Sequence, residues 1–529
     1  MTGEPHPTSP MPDAPQDRPA GGLSETWTHG PGRDRQPADP GSPMSRRVAV
    51  LLAVASFLVV AAIQNVPPVF EMFGIEPFWP TSRAAETPED ETPTIDPPAG
   101  VANPIDLVSQ LGVGIHALDS SQPDAFAPLL QQLDSTATSD VERLRVAIVA
   151  GEVVGPQEAI DRLTRILEAT PDEEDDVAAL VREDARTLIE LFEWPADGIS
   201  AEPDDPLGAQ LPIDETTRQR LLDHHGFYAE IVLSRGLPES DPRLQERRAK
   251  AIGLTVVMVA FGGLVALVAL GALVCFIAAI VMAATGQFKP RMPLPEAGGS
   301  VYMETFGLFV LGFLLLQLVG NLLPNTMPWP YIKLGSQWLL ALVPLWPLAR
   351  GMGWQRLTGT VGLHRGRGLL AEVGAGIFGY LAGFPVFLFG VAITFVLLGI
   401  ASAFMPPDSP PPTNPVIELV ESGDAIALAL VFSLAVFWAP LTEELVFRGA
   451  LFRHFTGTQP VVLAALASAT LFGFMHGYGP LFVFPLIALG FNFALMRRWR
   501  GSIIAPITAH FLHNGTILTI VILLVSFAA

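Results

Sequence analysis

The stretch Ala439-Pro440-Leu441-Thr442-Glu443-Glu444-Leu445-Val446-Phe447-Arg448-Gly449-Ala450-Leu451 sets two adjacent acids and an arginine inside an apolar run extending from Ile426 to Phe455. A run of that length and composition reads as a membrane span. Ionisable side chains at bilayer depth are costly, so a cluster of three marks a functional site by default. Working outward, Phe472 and His476 stand four residues apart in the next apolar run, and His510 and Asn514 stand four apart in a later one.

The whole chain agrees with that reading. It has 529 residues, 50% of them hydrophobic and only 16% charged, with mean hydropathy +0.41. That is too apolar for an ordinary soluble protein of this size. The expected fold class is all-α: a polytopic transmembrane helical bundle with a helical soluble domain inserted after the first span. The formal net charge of −21 comes mostly from acids between Glu71 and Glu246, outside the most apolar half. It argues against nucleic acid as a partner and for a solvated acidic domain. The single cysteine, Cys275, lies in an apolar run, so an intramolecular disulfide and a cysteine metal site are both excluded.

Residues 1–44 are rich in Pro, Gly, Asp and Ser and read as a disordered tail. An anchor follows at 45–66, in which Arg46 and Arg47 precede the apolar run from Val48, and the long tail ahead of it favours an uncleaved anchor over a signal peptide. Residues 67–100 read as a Pro-rich linker. Over 101–250 the pattern changes to helical periodicity with polar faces, which predicts an acidic helical soluble domain. Its run Asp172-Glu173-Glu174-Asp175-Asp176 lacks the glycine and ligand spacing of a calcium loop and reads as a solvated turn.

Residues 251–368 are expected to supply the N-terminal transmembrane helices and 369–529 the catalytic transmembrane core. The apolar runs are approximately Ile252–Thr285, Val301–Leu323, Leu334–Ala349, Leu369–Ala403, Ile426–Phe455, Val461–His476, Leu481–Met496 and Ser502–Phe527. With the anchor they make about nine spans. Arg46 and Arg47 place the N-terminus inside, and alternation puts Arg356, Arg365, Arg367, Arg453, Arg497, Arg498 and Arg500 on that same side. The cluster Arg243, Arg247, Arg248 and Lys250 disagrees, since it would abut the outer face.

Helical geometry divides the opening motif. Residues four apart share a face and neighbours are about 100° apart. Glu444 and Arg448 therefore pair, and Glu443 points elsewhere, free to act on water as a general base. At ~1.5 Å per residue, Glu443 lies roughly 20 Å from the turn at Thr456–Pro460, His476 roughly 23 Å from it, and His510 roughly 18 Å from the turn near Arg498. All three thus reach a similar level. His510 and Asn514 could both aim donors at a carbonyl oxygen, and His476 could polarise the same water as Glu443. His454 reads as an ordinary helix contact, and His513 matches no position the chemistry requires.

These residues resemble the CPBP family of intramembrane proteases, which includes CAAX prenyl endopeptidases and bacterial bacteriocin-processing and immunity (Abi-like) proteins. Glu443, Glu444 and Arg448 match its Glu-Glu-x-x-x-Arg motif, Phe472 and His476 its Phe-x-x-x-His motif, and His510 with Asn514 its last motif. Gly501-Ser502-Ile503-Ile504-Ala505-Pro506-Ile507 is also similar to the family's approach to that motif. The resemblance covers roughly Leu369–Ala529. It implies peptide-bond hydrolysis with Glu443 and His476 activating water, and with His510 and Asn514 stabilising the oxyanion. Two histidines and two carboxylates could hold Zn²⁺, but there is no His-Glu-x-x-His pair, so a glutamate mechanism without a cofactor is expected.

The expected partners are a peptide or membrane-protein substrate, membrane lipid, and a protein partner for the acidic helical domain. The expected location is the cell membrane, as a multi-pass protein. A non-catalytic CPBP-like immunity or scaffold protein is the alternative. A transporter using Glu443 as a proton relay is disfavoured by the lack of an evident inverted repeat.

Overall fold

The computed structural model describes residues 35–72, 104–118, 126–170, 176–194, 212–235, 237, 240–324, 326–404 and 424–528. Most of the expected tail and linker, the acidic run around Glu173 and the loop 405–423 lie outside the described residues.

In chain order the elements are β1 (Arg35–Gln36), α1 (Pro43–Met72), α2 (Pro104–Leu118), α3 (Ala127–Thr136), α4 (Asp140–Val153), α5 (Pro156–Ala169) and α6 (Asp176–Glu193). There follow α7 (Glu215–His225), α8 (Phe227–Leu233), α9 (Pro242–Ala284), β2 (Leu294–Pro295), α10 (Val301–Leu322) and α11 (Trp329–Ser336). A 3₁₀ stretch, Gln337–Leu345, leads into α12 (Trp346–Ala349), α13 (Trp354–Val361) and α14 (Leu369–Ser402). The last four are α15 (Ala425–Thr456), α16 (Val461–Phe474), α17 (Val483–Arg500) and α18 (Ile504–Ala528). The chain is an all-α helical bundle whose described strands are one parallel pair, Arg35 beside Leu294 and Gln36 beside Pro295.

Among the described residues, six helices are long and apolar enough to cross a membrane: α1, α9, α10, α14, α15 and α18. The expectation of about nine spans differs for physical reasons. The run Leu334–Ala349 is broken into three short pieces, with Pro344 inside the 3₁₀ stretch; proline removes a helical donor and clashes with the preceding turn. Helix α16 has only 14 residues, about 21 Å at ~1.5 Å each, against a hydrocarbon core of about 30 Å. Helix α17 ends on Arg497, Arg498 and Arg500. Helix α9, of 43 residues, runs through residue 250, the expected end of the helical soluble domain.

The chain divides into two compact units, one of residues 1–73, 272–407 and 434–513, the other of 74–271, 408–433 and 514–529. In the first, α1 packs along α10, where a Cβ on Gly307 would sit 3.3 Å from the Ala49 carbonyl oxygen. Small residues let the backbones approach. Glycines of α14 do the same elsewhere: a Cβ on Gly376 would meet the Ala505 carbonyl oxygen at 2.5 Å, and one on Gly390 the Phe484 carbonyl oxygen at 2.7 Å. Asn492 of α17 donates to the Gly379 carbonyl at 2.9 Å.

Residues 35–42, expected as part of the disordered tail, are instead bound to this unit. Asp39 holds the buried Arg453 with two bonds of 3.0 Å, and Arg356 donates to the Ala38 carbonyl. The strand pair and this ion pair satisfy backbone and charge that composition alone left unpartnered. Arg500 binds Glu372, while Arg497 donates to the Gly501 and Thr360 carbonyls. Of the arginines expected to share one side, Arg356 and Arg453 both bind the N-terminal segment.

The second unit is built on a core of Leu144, Ile148, Val149, Leu163, Leu188 and Leu221. A capping box starts α4: Ser139 Oγ accepts from Glu142 N, and Glu142 Oε2 accepts from Ser139 N. Gly155, at φ 139°, turns the chain into α5, which opens on Pro156. Asp184, fully buried, accepts from Arg220 at 3.1 Å, His224 at 2.8 Å and His225 at 3.1 Å. The discordant basic cluster is largely paired inside this unit: Arg243 with Asp241, Arg247 with Glu152 and Lys250 with Glu246.

Candidate active site

Helix α15 carries the Glu-Glu motif on an altered helical geometry. Leu434–Trp438 and Glu444–Leu451 are π-helical, separated by an α-helical turn. The Phe452 N–H reaches back five residues to the Phe447 carbonyl, which also accepts Ser468 Oγ of α16 at 3.0 Å. π-helical turns are rare and recur at functional sites.

Glu444 and Arg448 are both fully buried and joined, Arg448 Nη1 to Glu444 Oε1, at 2.9 Å. The guanidinium lies 4.3 Å from the Phe472 ring centre, 5.2 Å from that of Phe493 and 5.8 Å from that of Phe447. Cation–π attraction in such an aromatic cage offsets part of the cost of dehydrating the charge. Gly490 makes room for it, since a Cβ there would sit 3.1 Å from Arg448 Nη2.

The same Glu444 oxygen accepts a second bond, from His510 Nδ1 at 3.0 Å. His510 is 3% exposed and lies nearly parallel to Phe493, their ring centres 5.4 Å apart. Asn514 lies one turn further along α18. Because Nδ1–H serves the carboxylate, Nε2 is the ring nitrogen left for chemistry.

His476 follows α16 in a turn. Its Nδ1–H donates to the Phe472 carbonyl at 2.8 Å, which again leaves Nε2 free. Its ring sits edge-on to Phe472 at 4.7 Å and parallel to the exposed Tyr478 at 6.2 Å. The turn depends on Gly477 and Gly479, at φ 71° and 82°, a region L side chains rarely adopt. Glu443 lies within electrostatic reach of His476, Arg448 and Tyr478. Its Oε2 atom is buried without a hydrogen-bond partner among the described residues, as are Glu444 Oε2 and Arg448 Nε and Nη2. Buried polar atoms left open at one locus call for an explanation.

Phe472 thus touches the Arg448 guanidinium, His476 and His510, so the residues expected from three separate spans converge around one ring. His513 instead faces Tyr380 and Phe387. His454 lines a small cavity with Asp39 and Tyr302. Sequence reasoning missed three features: the bond from His510 to Glu444, the stacking of Phe493, and the glycine that admits Arg448. All are contacts between helices, and neither Phe493 nor Gly490 carries a signal in its own segment. Among the described residues, no group of three His, Cys, Asp or Glu side chains is placed to hold a metal.

Residues 425–516 match the family described as Type II CAAX prenyl endopeptidase Rce1-like. The match supports membership of this segment in the CPBP family. All three motifs lie inside the matched segment. No curated protein and no solved structure matches the chain.

Proposed function

We propose that the chain is an intramembrane endopeptidase of the cell membrane that hydrolyses peptide bonds of membrane-associated peptides or proteins. The observation that carries this is the convergence of Glu443, His476 and the Glu444-bound His510 on one apolar locus. The family match supports a protease of the CAAX type.

In the proposed cycle Glu443 takes a proton from water while His476 Nε2 orients it, and the hydroxide oxygen bonds to the scissile carbonyl carbon. The carbonyl oxygen becomes an oxyanion, and His510 Nε2–H and the Asn514 amide donate to it. Glu444 has a definite part in this. A carboxylate on Nδ1–H stabilises a second proton on Nε2, so the ring can donate from Nε2 while remaining bound through Nδ1. The protonated Glu443 then passes its proton to the departing amine, the C–N bond breaks, and the carboxylate is restored.

The mechanism proposed runs without a metal. Cleavage in membranes treated with a chelator is expected to continue at its untreated rate; loss on chelation with recovery on added zinc would overturn that point. His476→Ala and Glu443→Gln are each expected to leave the same set of membrane-protein termini uncut in cells. A scaffold or immunity role predicts identical termini in all three strains.

A further inference from the structure

The anchor α1 lies outside the family-matched segment, yet its apolar span, Pro43–Asn65, closes on two consecutive amides, Gln64 and Asn65. Polar side chains at such depth call for an explanation. Asn65 is 6% exposed. Its Nδ2 donates to the Ala61 carbonyl of its own helix at 3.0 Å and, across to α16, to the Phe474 carbonyl at 3.1 Å. Phe474 is the last residue of α16, where carbonyls lose their helical partners. The next residues are Met475 and His476. Gln64 packs on the other side of that histidine in sequence: a Cβ on Gly477 would lie 3.0 Å from Gln64 Cβ and 3.4 Å from its Cδ. The anchor therefore grips the His476 turn on both flanks. The amide oxygens, Gln64 Oε1 and Asn65 Oδ1, are buried with no hydrogen-bond partner among the described residues. An acceptor left unmade in a dry setting carries its desolvation cost uncompensated, and an extended peptide carries backbone N–H donors that would satisfy it.

We propose that Gln64 and Asn65 belong to the active site: Asn65 is a positioning residue that holds the His476 turn, and the two open amide oxygens accept backbone N–H groups of the peptide substrate. The second part rests on the peptidase activity proposed above; the first does not. No ionisable group is required of α1, which separates its part from the proton transfers assigned to Glu443 and His476.

The experiment pairs hydrogen exchange with kinetics on full-length protein in lipid nanodiscs, using as probe a peptide that spans a junction cut in wild-type but not Glu443→Gln cells. In Asn65→Leu, amides of 475–482 are expected to exchange about tenfold faster while the interior of α17 keeps its protection, and kcat is expected to fall about tenfold, with KM also rising about fivefold for the acceptor lost with the amide. In Gln64→Leu, KM is expected to rise about fivefold, as for one lost hydrogen bond, with kcat near wild type. Unchanged exchange over 475–482 in Asn65→Leu overturns the tether, as does a loosened turn with undiminished kcat. Unchanged KM in Gln64→Leu overturns the acceptor role. Because exchange is read without substrate, a loosened turn upholds the tether even where Glu443→Gln leaves every terminus unchanged; in that event the peptidase reading and the acceptor role fail together.

Discussion

At the scale of single residues, Glu444 does more than its spacing to Arg448 announces. One oxygen accepts both the guanidinium and His510, so the residue neutralises a buried cation and orients a ring on another helix. Glu444→Gln leaves Arg448 charged and unpaired in an apolar cage, which for buried pairs costs about 3–5 kcal/mol. A marked fall in folded yield and thermal midpoint is expected in detergent extracts, beyond that of Glu443→Gln. Equal yields and midpoints for the two variants would count against the pairing. The four-residue spacing made Glu444–Arg448 legible in the sequence, because helical periodicity is local. The His510 bond was not legible, because which helices are neighbours is a property of packing. Spacing gave Glu443 a direction apart from Glu444 and a depth like that of His476, while which helices bring the two side chains together is set by packing.

Among elements, helix contacts rather than apolarity decide where the site residues stand. Gly376 of α14 lets the first turn of α18 approach, and the Ala505 carbonyl there is backbone that cannot swing aside. Gly376→Ala should therefore displace α18, which carries His510, and lower stability by about 1–3 kcal/mol as overpacking does. Thermal unfolding in detergent reads this, and a midpoint equal to wild type would contradict it. Long apolar runs such as those of α10 and α14 were legible as spans, since length and composition suffice for them. The broken stretch around Pro344 and the short α16 were not, because an apolar run gives no sign of whether its helix continues. The π-helical turns of α15 also leave no mark in sequence, yet they set the rotation of Glu444 and Arg448.

The whole molecule divides into two compact units. The acidic helical unit has its own core and its own buried charge at Asp184. Burial alone would push the Asp184 carboxyl up, but hydrogen bonds and charge from His225 and His224 outweigh it and hold the group below its ordinary 3.8. A carboxylate with a lowered folded value contributes stability that is complete above its unfolded value and lost as pH falls through the folded one. The unit should thus weaken on acidification below about pH 4, and Asp184→Asn should flatten that limb while lowering stability at neutral pH. Calorimetry from pH 6 to pH 2 reads both; parallel curves would contradict the assignment. For this unit we propose substrate gating or docking of a partner protein. Removal of residues 101–237 should then change which termini are cut, and an unchanged profile would end that proposal.

The central claim is that Glu443 drives hydrolysis of peptide bonds, and oxygen labelling addresses it directly. Membranes from cells carrying wild type or Glu443→Gln are incubated in H₂¹⁸O, and newly formed carboxyl termini of membrane proteins are read by mass spectrometry. Hydrolysis places one solvent oxygen in each new carboxyl group, so wild-type membranes should yield termini carrying a single ¹⁸O that Glu443→Gln membranes lack. The same labelled termini in both, at the same rate, would contradict the account.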